Sequence, residues 1–335
     1  MEAMGKTMKK QMMACVLHDI GNLQYESVPM PVRADGEVLI KIKASGICGS
    51  DVPRVFTKGT YHFPTIPGHE FSGQIMEADD AALVGKKCTV FPLLPCRKCA
   101  SCESGNYAQC QDYDYFGSRC DGAFAEYISV PIWNVLIAPD ELSYEEIAMC
   151  EPLAVALHSL EHANLKANNS VAVFGAGPIG VMIGKWAKYK GAGKVYLLDI
   201  DPQKIAFAEK LGFETKLEGP VDVCIEGAGV SQTFEQAMFA AKPFGTVVLM
   251  GNPAKEMELS QKGYWEILRK ELHVCGTWNS SYCNSQNDWN TALQCMRDLD
   301  ISCLLSHKFS LSQHKEAFDL MKNREEYFSK VMFVL

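Results

Sequence analysis

The sequence lacks a uniform apolar run of the roughly 20 residues that a membrane-spanning helix requires. Its long uncharged stretch, Ala167–Gly184, is interrupted by Pro178 and four glycines. The apolar run near the start, Met12–Leu17, is too short for the core of an export signal. We therefore expect no membrane partner, and we expect Met1–Gln11 to form a mobile polar leader.

Positive charge is also scarce. Lys+Arg 32 against Asp+Glu 40 gives a net charge of −8, so a phosphate-neutralising basic surface is not expected. This excludes nucleic acid as the main partner, although it still permits a local basic pocket for one small anion. The 335 residues are 47% apolar and 21% charged, which is typical of a globular chain and suggests about two domains.

Cysteine, in contrast, is abundant at 14 residues. In a long chain without an export signal, clustered cysteines favour metal binding in a reducing cytoplasm over disulfides. Four of them have the spacing Cys96-x2-Cys99-x2-Cys102-x7-Cys110. Four thiolates complete a tetrahedron around zinc and leave no position for a substrate, which predicts a structural zinc site. The alternative, four unrelated buried cysteines, fits this polar segment poorly.

The first half of the chain is rich in short apolar runs separated by glycine and proline turns, which predicts a small β-barrel or sandwich. The predicted strands are Met12–Leu17, Leu23–Val28, Glu37–Ala44, Glu70–Glu77, Lys87–Phe91, Ala123–Val130 and Asn134–Ala138. A capping box of Ser143 and Glu146 then predicts a helix. A second helix is expected from about Pro152 toward Ala163.

After Asn168, predicted strands alternate with predicted helices, which indicates a doubly wound parallel sheet. The strands are Ser170–Phe174, Lys194–Asp199, Val221–Glu226, Thr246–Gly251 and Leu272–Thr277, and the helices include Gly180–Tyr189, Pro202–Leu211 and Ser231–Ala241. Helices at Trp289–Leu299 and Gln313–Lys322 and a strand at Lys330–Leu335 complete the prediction.

The segment Gly175-Ala-Gly-Pro-Ile-Gly180 lies between a predicted strand and a predicted helix. Gly175 permits the tight turn, and Gly177 lets the backbone approach a pyrophosphate. Gly180 lets the following helix pack closely on the preceding strand. Asp199 ends the next strand 19 residues after Gly180, where an acid can bind the adenosine ribose. A carboxylate there repels a 2′-phosphate, so NAD is expected rather than NADP. The alternative is an ordinary glycine-rich turn.

Four further residues are assigned to this cofactor site. Pro178 and Ile179 complete the loop, and Gly251 ends the predicted strand Thr246–Gly251. Lys204 is also a candidate, with a solvated helix lysine as the alternative. Asp201 is interpreted as a helix cap and not as a second ribose ligand.

A second, dispersed set of residues has the chemistry of a metal site. Cys48 lies in Gly46-Ile-Cys-Gly-Ser-Asp51, His69 and Glu70 lie in Pro67-Gly-His-Glu-Phe71, and Glu151 lies in Cys150-Glu-Pro152. Taken singly, each has an ordinary alternative: a buried cysteine, a histidine at the edge of a core, or solvated glutamates.

Taken in order, these motifs resemble those of the zinc-dependent medium-chain dehydrogenases, over nearly the whole chain after Met12. The resemblance implies an α/β fold, with a GroES-like β-barrel catalytic domain at 12–157 and a Rossmann doubly wound parallel-sheet domain at 158–292. It implies that 293–335 return to the catalytic domain and that the protein is a homodimer or homotetramer, while the cysteine usage noted above predicts a cytoplasmic location.

The same resemblance implies a catalytic zinc in addition to the structural one. Its ligands would be Cys48, His69 and Glu151, with Glu70 as an alternate or exchanging ligand. Ser50 would accept the proton of the substrate hydroxyl.

Within this family the chain is similar to the polyol dehydrogenases, for example in Cys48-Gly-Ser-Asp-Val-Pro-Arg-Val-Phe56. It departs from the sorbitol type at Pro53-Arg54, where that type has His-Tyr, so the usual proton-relay histidine is absent. The planar fork of Arg54 suits a phosphate, and the alternative is a surface arginine paired with a carboxylate. Lys58 and Arg119 are weaker phosphate candidates.

Trp278 and Asn279 are expected near the nicotinamide and substrate, with a core position as the alternative for Trp278. The predicted reaction is NAD-linked oxidation of a polyol phosphate, galactitol 1-phosphate to tagatose 6-phosphate. One alternative is a dehydrogenase of free polyols such as sorbitol, xylitol or a butanediol. Another is a zinc-binding, redox-sensing regulator, and a third is a zinc-free reductase of the same superfamily.

Overall fold

The computed structural model describes residues 10–335. Most of the predicted leader therefore lies outside the described residues, and Gln11 already begins the first strand. The strands of the described chain are β1 Gln11–Asp19, β2 Asn22–Pro29, β3 Glu37–Ile47, β4 Glu70–Glu77, β5 Lys87–Val90, β6 Leu93–Pro95, β7 Tyr113–Tyr115, β8 Tyr127–Pro131, β9 Val135–Ile137, β10 Ser170–Phe174, β11 Lys194–Leu198, β12 Val221–Glu226, β13 Ala241–Leu249, β14 His273–Gly276, β15 Leu305–Phe309 and β16 Lys330–Val334.

The α-helices of five or more residues in the described chain are α1 Tyr144–Ala148, α2 Cys150–Glu161, α3 Pro178–Tyr189, α4 Pro202–Lys210, α5 Ser231–Ala240, α6 Gln261–Lys270, α7 Asp288–Leu299 and α8 His314–Asn323. A shorter helical segment, Asp51–Pro53 continued by Arg54–Lys58, follows β3. Within residues 10–335, none of the helices has the length and apolarity needed to cross a membrane.

The chain divides into two compact units. The first contains the described residues up to Glu151 together with Leu305–Leu335, and the second is the continuous segment Pro152–Leu304. Each unit has its own buried apolar cluster, so each can be described by itself.

In the first unit, a seven-stranded sheet has the order β15-β16-β3-β4-β5-β9, and β8 also pairs with β3. The C-terminal strand β16 therefore lies between β15 and the long N-terminal strand β3. The alternating burial of β3 places Ile40 and Ile42 in the core, as expected for a sheet with one covered face. A hairpin of β1 and β2 packs on a second cluster that includes Phe318 and Phe333.

In the second unit, five parallel strands have the order β11-β10-β12-β13-β14. The chain moves outward from β10 to β11 and then crosses to β12 on the other side, which creates a switch point at the carboxyl ends of β10 and β12. Glu214 adds an isolated parallel bridge to Tyr196 of β11 at the sheet edge. The predicted doubly wound parallel sheet is confirmed.

Two predicted strand boundaries are wrong, because the backbone groups there do not continue a regular ladder of hydrogen bonds with a neighbouring strand. The strand predicted at Ala123–Val130 begins only at Tyr127, because Ala123 and Phe124 donate to the carbonyls of Gly68 and Pro67. The strand predicted to end at Gly251 ends at Leu249, since the N–H of Gly251 donates to the carbonyl of Glu226.

Other elements were not predicted, namely the short pair β6 and β7, the strand β15 and the helix α6. The capping box at Ser143 is present as predicted, with the Ser143 side chain accepting from the Glu146 N–H. The helix predicted near Pro152 begins two residues earlier, at Cys150, so Glu151 lies in its first turn.

Candidate metal centre and dinucleotide site

The first unit gathers its reactive side chains where three neighbouring strands meet. Gly46 of β3 pairs with Glu70 of β4, and Ile47 pairs with Val331 of β16. Cys48 therefore leaves the end of β3 beside the first residues of β4 and β16. The ligand atoms of Cys48, His69 and Glu70 lie within 4.8 Å of one another, a spacing compatible with one metal ion.

Asp51, a buried carboxylate that the sequence motif contains but for which no role was predicted, organises this group. Its Oδ2 accepts from the N–H of Cys48 at 2.9 Å, and its Oδ1 lies 3.6 Å from Nδ1 of His69. Within residues 10–335, Nδ1 of the buried His69 makes no hydrogen bond. A buried imidazole nitrogen without a partner fits a histidine arranged to hold a metal.

Glu70 forms a buried ion pair with Lys330, the first residue of β16. Both side chains are nearly inaccessible to solvent, and Nζ of Lys330 also donates to the carbonyl of Ile47 at 3.3 Å. A Cβ on Gly46 would come within 2.5 Å of Glu70 Oε2, so only glycine fits beneath this pair. Sequence reasoning missed Lys330, because a single lysine at the start of an apolar strand is normally solvated.

Glu151 lies beside this group in the first turn of α2 but is not among the three residues whose ligand atoms cluster. The Tyr115 hydroxyl lies 3.4 Å from Glu151 Oε1, and the Tyr115 ring packs edge-on against His69. Burial, with the neighbouring Glu70 carboxylate, raises the pKa of Glu151 to about 7. The sequence analysis placed Glu151 as the third ligand and Glu70 as the alternate one. In the structure, Glu70 and not Glu151 has its carboxylate oxygen clustered with the Cys48 and His69 ligand atoms.

Without a cation, this centre is unfavourable for a thiolate. Burial, together with the Glu70 and Asp51 carboxylates, raises the pKa of Cys48 to about 12. A bound divalent ion reverses this balance, because its charge favours the deprotonated ligand. The donor set of one sulfur, one imidazole and one carboxylate suits zinc and leaves a position open for substrate.

Arg54 and Ser50 border the centre from the short helix that follows Cys48. One nitrogen of Arg54, Nη1, donates to Ser50 Oγ at 3.0 Å and to Asp51 Oδ1 at 2.8 Å. The Asp51 contact raises the pKa of Arg54 against the effect of burial, so the guanidinium is a permanent cation. Its side chain is 23% exposed.

The two weaker phosphate candidates occupy different environments. Lys58 is exposed at the end of the helical segment that begins at Arg54. The guanidinium of Arg119 lies between the rings of Tyr61 and Tyr113, 4.2 and 4.3 Å from their centroids, and donates to the Tyr113 carbonyl. Arg119 is thus in contact with two tyrosine rings, an arrangement that favours a cation at this position.

The four-cysteine segment forms a second metal-binding geometry in the same unit. Its sulfur pairs lie 3.5 Å (Cys99–Cys102), 3.9 Å (Cys99–Cys110) and 4.0 Å (Cys96–Cys102) apart. Zn–S bonds of about 2.3 Å in a tetrahedron place sulfurs roughly 3.8 Å apart. The N–H donors of Gln111 and Cys102 lower the pKa of Cys99 to about 6. The group fits a closed structural zinc site.

In the second unit, the glycine-rich loop has the shape that a dinucleotide site requires. Gly175 adopts a φ of +116°, and a Cβ on Gly180 would lie 1.9 Å from the Gly175 carbonyl oxygen. Pro178 follows the N-cap Gly177 as the first residue of α3, with Ile179 next. A Cβ on Gly177 would meet no atom of the described chain within 4 Å, which leaves open space at the helix N-terminus, where anions bind.

Asp199 is fixed beside this loop. Its Oδ2 accepts from the Ala176 N–H at 2.9 Å, and its Oδ1 accepts from the Asp201 N–H at 3.0 Å. Lys204 Nζ lies 3.5 Å from the same carboxylate, so this lysine is a partner of Asp199. Asp201 caps α4 by accepting from the Gln203 N–H, as predicted.

Gly251 lies where two loops approach each other closely. A Cβ on Gly251 would come within 2.2 Å of the Gly229 nitrogen. The buried Glu226 organises this contact by accepting from the N–H groups of Ala228 and Gly229 and from the Thr233 hydroxyl. Sequence reasoning did not identify Glu226, which at the end of an apolar strand has no distinguishing motif.

Trp278 and Asn279 follow β14 in the second unit. Trp278 is 55% exposed, so the alternative that it is a core residue is wrong. Asn279 adopts a left-handed conformation with φ of 61°, which turns the chain after the strand.

Comparison with known proteins gives the class of protein to which these sites belong. Residues 34–140 match the alcohol dehydrogenase GroES-like domain, and residues 178–298 match the zinc-binding dehydrogenase domain. The chain is a member of the zinc-dependent medium-chain dehydrogenases and an oxidoreductase. This confirms the predicted family and fold class, a GroES-like domain with a Rossmann-type domain.

Among curated relatives, the chain is 36% identical to galactitol 1-phosphate 5-dehydrogenase of Escherichia coli K12, over 89% of this chain and 93% of the relative. It is 30% identical to sorbitol dehydrogenase of Bacillus subtilis, over 94% of this chain and 95% of the relative. The relatives therefore place the chain among the polyol dehydrogenases.

Solved structures of related dehydrogenases have the same fold as this chain. The galactitol-1-phosphate dehydrogenase from Escherichia coli aligns with a TM-score of 0.90 at 33% identity, covering 97% of this chain and all of its own. An alcohol dehydrogenase from Escherichia coli CFT073, solved with NADH, aligns with a TM-score of 0.89 at 25% identity, covering 97% and 99%. At the level of the family, the prediction of zinc and a nicotinamide cofactor is confirmed.

Proposed function

We propose that this protein oxidises a secondary hydroxyl of a polyol phosphate with NAD, and that the substrate is galactitol 1-phosphate and the product tagatose 6-phosphate. The observation that carries the proposal is Arg54, a permanent cation held beside Ser50 and Asp51 at the edge of the candidate metal centre. The likeness to galactitol 1-phosphate 5-dehydrogenase supports the same substrate.

The donor pattern of Arg54 supports phosphate recognition. Guanidinium has five N–H donors, and the contacts to Ser50 and Asp51 use Nη1. Nη2 and Nε then remain for a planar, two-point contact with a phosphate. The neighbouring Asp51 carboxylate offsets part of the positive charge, so hydrogen-bond geometry contributes more than net charge.

For the metal, we propose that Cys48, His69 and Glu70 hold a catalytic zinc, with Glu151 as the exchanging ligand. Zinc bound there supplies a Lewis acid that lowers the pKa of the substrate hydroxyl. Lys330 forms an ion pair with Glu70, and Tyr115 holds Glu151 at the side of the group. The four-cysteine group would hold a second, structural zinc.

For the chemistry, Ser50 is positioned to take the proton of the substrate hydroxyl. Its oxygen accepts from Arg54, which fixes the orientation of the hydroxyl. Arg54 is already protonated, so as Ser50 Oγ takes the substrate proton, the half-buried Ser50 would pass its own hydroxyl proton to a solvent water and remain a neutral hydroxyl. Gly177 would hold the pyrophosphate of NAD and Asp199 its ribose, and NAD would supply the hydride acceptor.

Two further proposals concern the oligomeric state of the protein and its location in the cell. We propose a homodimer or homotetramer, because in the described chain the outer side of β14 has no strand paired with it. Light scattering on the zinc-replete protein tests this, with the 37.1 kDa chain mass as the monomer reference. We propose a cytoplasmic location, because none of the 14 cysteines, all of which lie in the described chain, forms a disulfide.

One observation favours a second candidate, a dehydrogenase of free polyols. Arg54 is already paired with a carboxylate, which was the alternative explanation for this residue, and sorbitol dehydrogenase is among the relatives.

The initial rate of NAD reduction separates the two candidates. We expect a large preference for galactitol 1-phosphate over galactitol and sorbitol on the zinc-replete protein. Equal or faster turnover of the free polyols would remove the phosphate proposal and keep the dehydrogenase. Absence of turnover with all three would reopen the substrate class.

A further inference from the structure

The second unit contains a pair of histidines that the proposed reaction does not use. His158 lies near the end of α2, and His162 follows one helical turn later, so the two imidazoles share one face. Their Nε2 atoms are 3.2 Å apart, and their ring planes are nearly perpendicular at 89°.

A buried carboxylate lies against the first of these rings. Nδ1 of His158 is 2.9 Å from Oδ2 of Asp288, which is 2% exposed, although within residues 10–335 the ring orientation completes no hydrogen bond at Nδ1. Asp288 is itself held, because it accepts from the Ser281 N–H at 2.7 Å and from the Gln286 side chain at 3.2 Å. A carboxylate charge this close to Nδ1 favours the tautomer with its proton on Nδ1, which leaves the Nε2 lone pair of His158 available as a ligand.

We propose that His158 and His162 form a binding site for a late first-row divalent transition metal, with Asp288 as the positioning residue. Two imidazole nitrogens bound at about 2.0–2.1 Å in a tetrahedron lie roughly 3.3 Å apart. The observed 3.2 Å therefore requires almost no rearrangement. Since His162 is exposed, a small rotation of its ring aims both lone pairs at one ion.

The chemistry of the donors defines the class of ion. Two neutral imidazoles select Zn²⁺, Ni²⁺ or Cu²⁺ over Mg²⁺ and Ca²⁺, which prefer oxygen ligands. The exposed side of His162 leaves the other coordination positions to water or to a small exogenous ligand. The site lies in the second unit, whereas the Cys48 group and the four cysteines belong to the first.

The test is a calorimetric titration of zinc-replete protein, dialysed free of unbound metal, with NiCl₂. We expect the unaltered protein to bind one more Ni²⁺ per chain than His162→Ala and His162→Gln, both of which change an exposed side chain and should fold. In Asp288→Asn the affinity should fall by about 10–100-fold, the usual cost of losing such a partner. Zinc content measured before and after the titration shows that the nickel does not exchange into the other sites.

His18→Ala is the matched control. Nε2 of His18 lies 3.0 Å from Glu26, so it is a histidine–carboxylate pair without a second imidazole, and its removal should leave the additional nickel site intact. The proposal is overturned if the unaltered protein binds no additional nickel. It is also overturned if both His162 variants bind nickel as the unaltered protein does, which would mean that the two rings form a hydrogen bond only.

Discussion

At the scale of single residues, Asp51 connects the separate motifs of the first unit. One oxygen binds the Cys48 backbone, and the other lies between Arg54 and His69. A single buried carboxylate thereby sets the position of a candidate metal ligand, a candidate phosphate-binding residue and an imidazole. Substitutions in this group should separate metal binding from substrate recognition.

Cys48→Ser should abolish activity while the protein stays folded. Serine replaces a strong zinc ligand with a weak one, and loss of the metal's charge stabilisation costs several kcal/mol, or at least about 10³-fold in rate. Elemental analysis should show one zinc fewer per chain, with an unchanged circular dichroism spectrum. Cys303→Ser, at an exposed cysteine of the second unit, should keep both zinc ions and full activity. An active Cys48→Ser variant would contradict the ligand assignment.

Arg54→Ala should raise KM for galactitol 1-phosphate by roughly 10–100-fold, since a hydrogen bond to a charged group contributes about 1.5–3 kcal/mol. Loss of the Arg54 contact to Ser50 should lower kcat for phosphorylated and free polyols alike, whereas KM for a free polyol should change much less, so the KM values isolate phosphate recognition. Arg33→Ala provides the control, because Arg33 pairs with Asp79 on the surface of the same unit. Equal rises in KM for both substrates would argue against the phosphate role.

At the scale of elements, the parallel sheet of the second unit depends on side chains at both of its ends. At the carboxyl ends, the close approach of α3 to β10 shapes the candidate dinucleotide-binding loop. At the amino ends, Asp222 of β12 joins Ser170 of β10 to Lys242 of β13. The first contact bears on cofactor binding and the second on stability.

Gly180→Ala should weaken NADH binding by at least about tenfold, because a methyl group there overlaps the Gly175 carbonyl and forces the helix away from the loop. Fluorescence titration with NADH measures the effect. Gly219→Ala is the matched control, since a Cβ at Gly219 meets no atom of the described chain within 4 Å. Unchanged NADH affinity in Gly180→Ala would contradict the proposed cofactor position.

Asp222→Asn should destabilise the protein at neutral pH by about 1–2 kcal/mol, a figure reduced because the ion pair with Lys242 is partly exposed. Burial raises the pKa of Asp222, but the Ser170 donors and Lys242 outweigh it and lower the pKa from 3.8 to about 2. Because the folded-state pKa is depressed, this stabilisation is complete above the unfolded-state pKa. It is lost as the pH falls toward 2.

Urea unfolding at pH 6, 4 and 3 should therefore show a difference between Asp222→Asn and the unaltered protein that shrinks as the pH falls. Comparing the two proteins at each pH cancels any loss of metal in acid. Asp298→Asn, at an exposed carboxylate of the same unit, should show little effect at any pH. A difference that stays constant from pH 6 to pH 3 would show that the Asp222 charge is not the cause.

At the scale of the whole molecule, the two units differ in how the chain builds them. The second is one continuous segment with its own apolar cluster, whereas the first needs β16 from the C-terminus between β15 and β3. A fragment of residues 152–304 should therefore fold alone, with a cooperative thermal transition and NADH binding. A fragment of residues 10–151, which lacks β16 and Lys330, should show no cooperative transition. A disordered 152–304 fragment would contradict this account.

Much of the fold and part of the candidate site could be predicted from the sequence. The four-cysteine spacing and the glycine loop with Asp199 each lie within a short stretch, so local geometry determines them. The capping box at Ser143 and the cap at Asp201 were also predictable, because they depend on neighbouring backbone only. The strand predicted at Ala123–Val130 started too early because distant loops supply its first hydrogen-bond partners.

What the sequence by itself determined is the set of local motifs and, through their order, the family. Only the tertiary structure decided which groups meet: Lys330 against Glu70, Tyr115 against Glu151, and His158 between Asp288 and His162. The physical reason is that strand pairing and helix packing join residues far apart in the chain. The partners of a buried acid are therefore not its neighbours in the sequence. Burial and these partners together set the pKa of the acid.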